Sequence, residues 1–304
     1  MALSPDKPKA PALTDLLDSD FMARLDRLDV LSRKILQSKL QGERRSKRRG
    51  QSSEFAEHRR YVVGDDIRFV DWNIYARLEK LFVKLFLEEQ DLSVHLLLDV
   101  SDSARFGEPP KALFMKRLTA ALAYVSLVNN NRLTLSTFAD GLTAQLPNIR
   151  GRNYLARMAE FLLSEQPGGP SYFEKACRQA TANQRGKGVT IVISDCLFKE
   201  GYDAGLRRLI SRQYDLYVMQ VLCPQELEPD FRGDFKLLDI EDGDQAEITL
   251  SPALLAFYKR NLAAYCNDIK QFCTARGAHY LLANSADPVE QLVLNYLRRI
   301  GLFK

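Results

Sequence analysis

The 304-residue chain is expected to fold as an α/β protein around a mostly parallel sheet with helices on both faces. Three observations carry that expectation. Residues 92–99, 188–194 and 214–222 (LSVHLLLD, GVTIVIS, YDLYVMQVL) are near-continuous apolar runs of strand length, the pattern of strands buried on both faces. Segments with apolar residues at helical spacing separate them, which makes the connections crossovers and the strands parallel. No internal repeat is evident.

The elements follow in order. Residues 1–12, rich in Pro and Lys, read as disordered. Leu17, Phe21, Leu25, Leu28 and Ile35 predict a helix over 16–40 with a break near Asp29. The basic knot ERRSKRR at 43–49 reads as a loop. Residues 54–92 mix aromatics, β-branched residues and charges around the turn signal Gly64-Asp65-Asp66, and predict short strands. A strand at 92–99 leads to a helix over 111–128, opened by Pro109 and Pro110, and to a strand at 132–138. Helices are expected over 152–164 and 172–183, a strand at 188–194, a helix over 203–212 and a strand at 214–222. Residues 233–250 alternate about Asp242-Gly243-Asp244 and predict a β-hairpin. A helix over 252–276, a strand at 278–283 and a helix over 287–300 complete the chain. The organisation predicted is a tail and helix over 1–44, a β-rich segment over 45–91 packing on the core, and an α/β domain over 92–304 with the hairpin inserted.

Composition excludes several classes. A net charge of +4 is too mild to imply nucleic acid by itself. No apolar run approaches the roughly 20 residues that span a bilayer. The opening MALSPDKPKAPALTD lacks the apolar centre of a signal peptide, so the expected location is cytoplasmic. The five cysteines are scattered without a CxxC pair, which argues against a disulfide framework and a zinc site. Of the three histidines, His95 and His279 fall in or beside apolar strands and read as packed residues.

One constellation carries chemistry. In an open parallel sheet, ligands gather at the carboxyl ends of the strands. One apolar strand ends in Asp99, followed by Ser101 and Ser103; another ends in Ser194-Asp195. Alternate residues of an extended loop point to one side, and hard oxygens suit Mg²⁺ or Mn²⁺. Asp-x-Ser-x-Ser alone fits a helix cap or turn equally well.

With Asp195 added, the pattern resembles the metal-ion-dependent adhesion site of von Willebrand factor A-type domains. The resemblance implies that Ser101 and Ser103 bind the ion, that Asp99 and Asp195 act largely through water, and that a partner carboxylate completes the shell. It also implies a middle-loop threonine, for which Ser171 of PGGPSYFEKAC is the match, so a hydroxyl is kept but the residue differs. Upstream, Glu54-Phe55, Arg60-Tyr61, Gly64-Asp65-Asp66-Ile67-Arg68, Asp71-Trp72 and Ala76-Arg77 closely resemble the signature of the bacterial domain-of-unknown-function family fifty-eight. Arg60 and Tyr61 are adjacent here, whereas the signature spaces them by one. This resemblance runs from about residue 45 to the C-terminus. It implies an A-type-like domain with an added β segment, and a MoxR-type AAA+ ATPase as partner in assembly or remodelling. The acidic and basic residues of the signature read as mutually paired, and Trp72 reads as a core anchor.

Three functions compete. The first is a non-enzymatic adaptor that captures an acidic group of a client protein, with Mg²⁺ or Mn²⁺ at Asp99, Ser101, Ser103, Ser171 and Asp195. The second is a Mg²⁺-dependent hydrolase. Haloacid-dehalogenase phosphatases need a second Asp where Ser101 stands, and no phosphate loop of Walker type appears. The third is nucleic-acid binding through residues 44–60, where the exposed aromatics that stack bases are not expected. The adaptor is the expected function.

Overall fold

The computed structural model describes residues 13–30, 55–86, 92–182, 188–210, 214–229, 233–238, 245–299 and 301–303. The N-terminal tail, the basic knot and the Asp242-Gly243-Asp244 turn lie outside them. The chain divides into two units: residues 37–91 form one, and residues 1–36 with 92–304 form the other.

The larger unit begins with a 3₁₀ turn at Leu13–Asp15 and helix α1 (Ser19–Leu25). Leu16, Leu17, Phe21, Leu25 and Leu28 all enter the main apolar core. The helix is shorter than expected. Asp18 caps it, accepting from the Phe21 amide at 2.7 Å, and the chain leaves the helix after Leu25, so that Val30 bridges Phe303. The predicted stretch 31–40 lies outside the described residues. Asp18→Ala is expected to cost about 1 kcal/mol, the usual worth of an N-cap, measured by urea unfolding.

The smaller unit pairs β1 (Phe55–Arg60) with β2 (Phe82–Phe86) antiparallel. Between them come the expected Gly64 turn, a 3₁₀ turn at Ile67–Phe69, and an unpredicted helix, α2 (Trp72–Leu78). Its aromatic and β-branched content reads as strand, but Asp71 starts a helix by accepting from the Asn73 and Ile74 amides at 3.0 and 3.2 Å. The other Asp71 oxygen lies 3.0 Å from His58 Nε2 on β1 and 3.2 Å from Lys84 Nζ on β2. Burial would raise the Asp71 pKa; His58, the two amides and Lys84 outweigh it and hold the carboxyl at about 2. Within the signature Arg68 pairs with Asp66, while Asp65 pairs with Arg59, which is not one of the signature residues. Trp72 corrects the expectation of a core anchor. As the first residue of α2 it is 59% exposed, edge-on to Tyr75.

The remaining elements build the α/β layers. They are β3 (Ser93–Asp99), α3 (Lys111–Val128), β4 (Arg132–Ala139), β5 (Gly141–Ile149), α4 (Leu155–Ser164), α5 (Phe173–Ala182), β6 (Gly188–Ser194), α6 (Asp203–Ile210), β7 (Tyr214–Leu222), α7 (Pro224–Leu227), β8 (Gly233–Leu238), β9 (Gln245–Leu250), α8 (Pro252–Thr274) and β10 (His279–Asn284). The last helix opens at Val289–Gln291 and widens into a π-helix at Leu292–Leu297. β8 and β9 form the expected antiparallel hairpin.

The six-stranded sheet runs β10-β7-β6-β3-β4-β5. All neighbours are parallel except β4 and β5. β5 was not predicted. It carries Pro147 and an alternating exposed face, features that only an edge strand tolerates. Successive side chains of the central strands enter opposite layers. Leu96, Leu98, Ile191, Ile193 and Met219 join the core beneath α1 and α3. Leu97, Val192 and Val218 join a second core with residues of α5, α6 and α8. Helices therefore cover both faces, as the apolar runs imply. His95 packs edge-on to Tyr214, and burial pushes its pKa down to about 4; His279 stacks on Tyr217. All five cysteines are buried and free. Among the described residues no helix is long and apolar enough to cross a membrane.

Candidate metal centre

β3 pairs directly with β6, so their carboxyl ends are neighbours. Asp99 and Asp195 are both buried there, at 2% and 4% exposure. One Asp99 oxygen accepts from the Ser101 amide at 2.9 Å, and the other accepts from the Ser194 hydroxyl at 2.6 Å. Burial, then the charge of Asp195, pushes the Asp99 pKa up to about 7, against the hydrogen bonds from Ser194 and Ser101.

Ser101 is fully buried, and its Oγ lies 3.0 Å from Ser103 Oγ. The loop carrying Ser171 is stitched to the same edge. The Gly168 amide donates to Val100 O, the Gly169 amide to Asp102 Oδ2, the Asp102 amide to Gly169 O, and the Tyr172 amide to Ala139 O. Arg105 reaches across to Pro167 O. The Ser171 hydroxyl is buried and has no hydrogen-bond partner. The structure thus brings all three loops to one sheet edge.

Asp195 sits in a tight turn. Cys196 adopts φ 57°, a left-handed conformation that non-glycine residues avoid. Its amide donates to Ser194 Oγ, and the Leu197 amide donates to Asp195 Oδ1 at 3.1 Å. The other Asp195 oxygen accepts from Lys111 Nζ at 2.8 Å. Lys111 is fully buried, and its ammonium also donates to Glu226 Oε1 at 2.6 Å. Glu226 is fixed in turn through its other oxygen, which accepts from the Cys223 amide at 2.8 Å. Burial alone would lower the Lys111 pKa; the charges of Asp195 and Glu226 outweigh it and raise it. Lys111, Glu226 and Ser194 are absent from the sequence-predicted set.

The donor set can be tested against an ion. Among the described residues no group of three or more His, Cys, Asp or Glu could hold a metal, so a centre here depends on hydroxyls. The Ser101 and Ser103 hydroxyls are hydrogen-bonded to each other at 3.0 Å, and the buried, unpartnered Ser171 hydroxyl offers a further oxygen. Oxygens of this kind are what a hard divalent ion takes; Ser101, Ser103 and Ser171 would be its direct donors and Asp99 the charge behind them.

Beside the centre lies an open groove of about 600 Å³, with Leu197, Phe198, Leu254, Phe257, Tyr258 and Tyr265 in its walls. Its hydroxyls are tied to the centre: Tyr265 donates to Cys196 O and Tyr258 to Glu226 O.

An uncharacterised protein of Mycobacterium tuberculosis, Rv1480, is 27% identical to this chain over 286 residues, 90% of each. Its counterpart Mb1516 in Mycobacterium bovis matches equally. Among solved structures, BatB from Bacteroides thetaiotaomicron overlaps 69% of this chain and 98% of its own, at 18% identity and a TM-score of 0.45. The VWA domain of SpRpn10 overlaps 68% of this chain and 95% of its own, at 11% identity and a TM-score of 0.39. The family model described as "Protein of unknown function DUF58" matches residues 57–265. That span holds β1 through most of α8, the stitched loops and every residue of the candidate centre, and the chain belongs to the DUF58 family.

Proposed function

We propose that this chain is a non-enzymatic protein-interaction adaptor whose docking edge is completed by Mg²⁺ or Mn²⁺ on the hydroxyls of Ser101, Ser103 and Ser171, with Asp99 and Asp195 supplying negative charge behind them. The observation that carries the reading is the hydroxyl set: a hydrogen-bonded Ser101–Ser103 pair and a buried Ser171 hydroxyl with no partner, on loops stitched to the same edge. A bound ion supplies a positive charge at the sheet edge that a client carboxylate can join. The groove beside it offers apolar walls, with Leu197 and Phe257 41% and 51% exposed; such concave apolar surface suits the residues flanking that carboxylate. The features nearest to catalytic machinery point elsewhere. Lys111 is spent on two carboxylates, and burial pushes the Cys196 thiol well above its ordinary pKa, which keeps it from acting as a nucleophile. The signature resemblance adds a MoxR-type AAA+ ATPase as the partner that drives assembly or remodelling of clients.

The test is thermal melting of the purified protein with Mg²⁺ or Mn²⁺. An ion at about 100 times its dissociation constant should stabilise by about 2.7 kcal/mol. The shift is expected in the wild type and lost in Ser101→Ala and Asp99→Asn. No shift in the wild type at millimolar ion sinks the metal part of the proposal.

A further inference from the structure

Lys111 is an odd residue to find at this edge. It is the first residue of the 18-residue helix α3, where the helix dipole disfavours a cation. It is nevertheless fully buried, on the stripe it shares with Phe114, Met115 and Leu118. Its ammonium lies 2.8 Å from Asp195 and 2.6 Å from Glu226. Each oxygen of the Asp195 carboxylate accepts one hydrogen bond, from Lys111 on one side and the Leu197 amide on the other. Its carbonyl is pinned as well, accepting from Gln220 Nε2 at 2.7 Å. Asp195 is held at three points, and to turn toward an ion it must give up its bond to Lys111.

The charges tell the same story. The buried cluster holds three carboxylates, Asp99, Asp195 and Glu226, against one ammonium. The Lys111 ammonium offsets part of the negative charge that would draw a divalent ion to this edge.

We propose that Lys111 is the positioning residue that sets the affinity of this centre: it holds the Asp195 carboxylate against its own ammonium and so keeps the ion weakly bound. The inference rests on the metal reading above. It assigns Lys111 a role that stability alone does not require, because a well-packed apolar pair can replace a buried ion pair without loss.

The experiment is Mn²⁺ titration followed by the free-ion electron paramagnetic resonance signal, on the wild type, Lys111→Met, the paired variant Lys111→Met with Glu226→Gln, and Asp99→Asn. Lys111→Met strands two buried carboxylates, so the paired variant carries the decision; it removes one charge of each sign and leaves the net charge unchanged. The expected result is Mn²⁺ binding roughly tenfold or more tighter in the paired variant than in the wild type, a gain of about 1.4 kcal/mol, and loss of binding in Asp99→Asn. Tighter binding in the paired variant with none detectable in the wild type overturns the metal reading and, with it, the proposed role of Lys111. Equal or weaker binding in the paired variant, with the wild type binding normally, overturns the role of Lys111 and leaves the metal reading intact. Binding in neither protein overturns both.

Discussion

Lys111→Ala is expected to destabilise the metal-free protein by about 3–5 kcal/mol, the usual cost of removing one partner from a buried ion pair. The substitution leaves Asp195 and Glu226 buried, at 4% and partial exposure, with no cation between them. It also empties the volume of a long side chain under α3. Asp195 then keeps only the Leu197 amide as a donor to its carboxylate, and Glu226 only the Cys223 amide. Urea unfolding followed by circular dichroism measures the loss. Adding Glu226→Gln should recover part of it, because one stranded charge disappears. A loss under about 1 kcal/mol in the single variant would show that the ion pair is no stronger than an exposed one.

Gly188→Ala should cost about 3 kcal/mol, the upper end for overpacking a close-packed interior. Gly188 opens β6 and pairs with Ser93 on one side and Tyr214 on the other. A Cβ there would sit 2.0 Å from the Ser93 carbonyl oxygen and 2.7 Å from the Tyr214 ring. The first of these is backbone and cannot turn aside, so β3 and β6 must part at their amino ends. Gly168→Ala is the control. Its Cβ would meet nothing closer than an Arg105 nitrogen at 3.5 Å, and the expected change is within about 0.5 kcal/mol. Equal stability of the two variants in urea would contradict the tight register of the central strands.

The two substitutions also mark what sequence can reveal. Asp99, Ser101, Ser103 and Asp195 were legible because polar residues close apolar runs, and a parallel sheet gathers such ends at one edge. The apolar runs likewise disclosed the central strands, which are buried on both faces. β5 was not legible, since an edge strand with Pro147 reads as loop. Helix α2 was hidden by aromatic content that propensity assigns to strands, and only Asp71 at its cap betrayed it. Trp72 misled because size alone does not bury a residue that opens a helix. Lys111 and Glu226 escaped because their meeting depends on contacts 84 and 115 residues apart in sequence. A faint sign existed: a lysine standing in register with Phe114, Met115 and Leu118 lies on the inward stripe of its helix. A charge in that position asks for a buried partner.

The span between Asp99 and Ser194, 95 residues, has a consequence for the order of events during synthesis. β4 and β5 are consecutive and antiparallel, so they can pair as soon as both are made. β3 must wait for β6, which emerges only after β4, β5, α4 and α5. Loop closure on that scale is slow, and an apolar strand with one side open is prone to pairing with the wrong partner. The Asp99 edge is therefore completed only once β6 has been made. A chain halted before residue 188 would carry the Asp99 turn with no Asp195 and no Ser194, and β3 would have β4 on one side and nothing on the other.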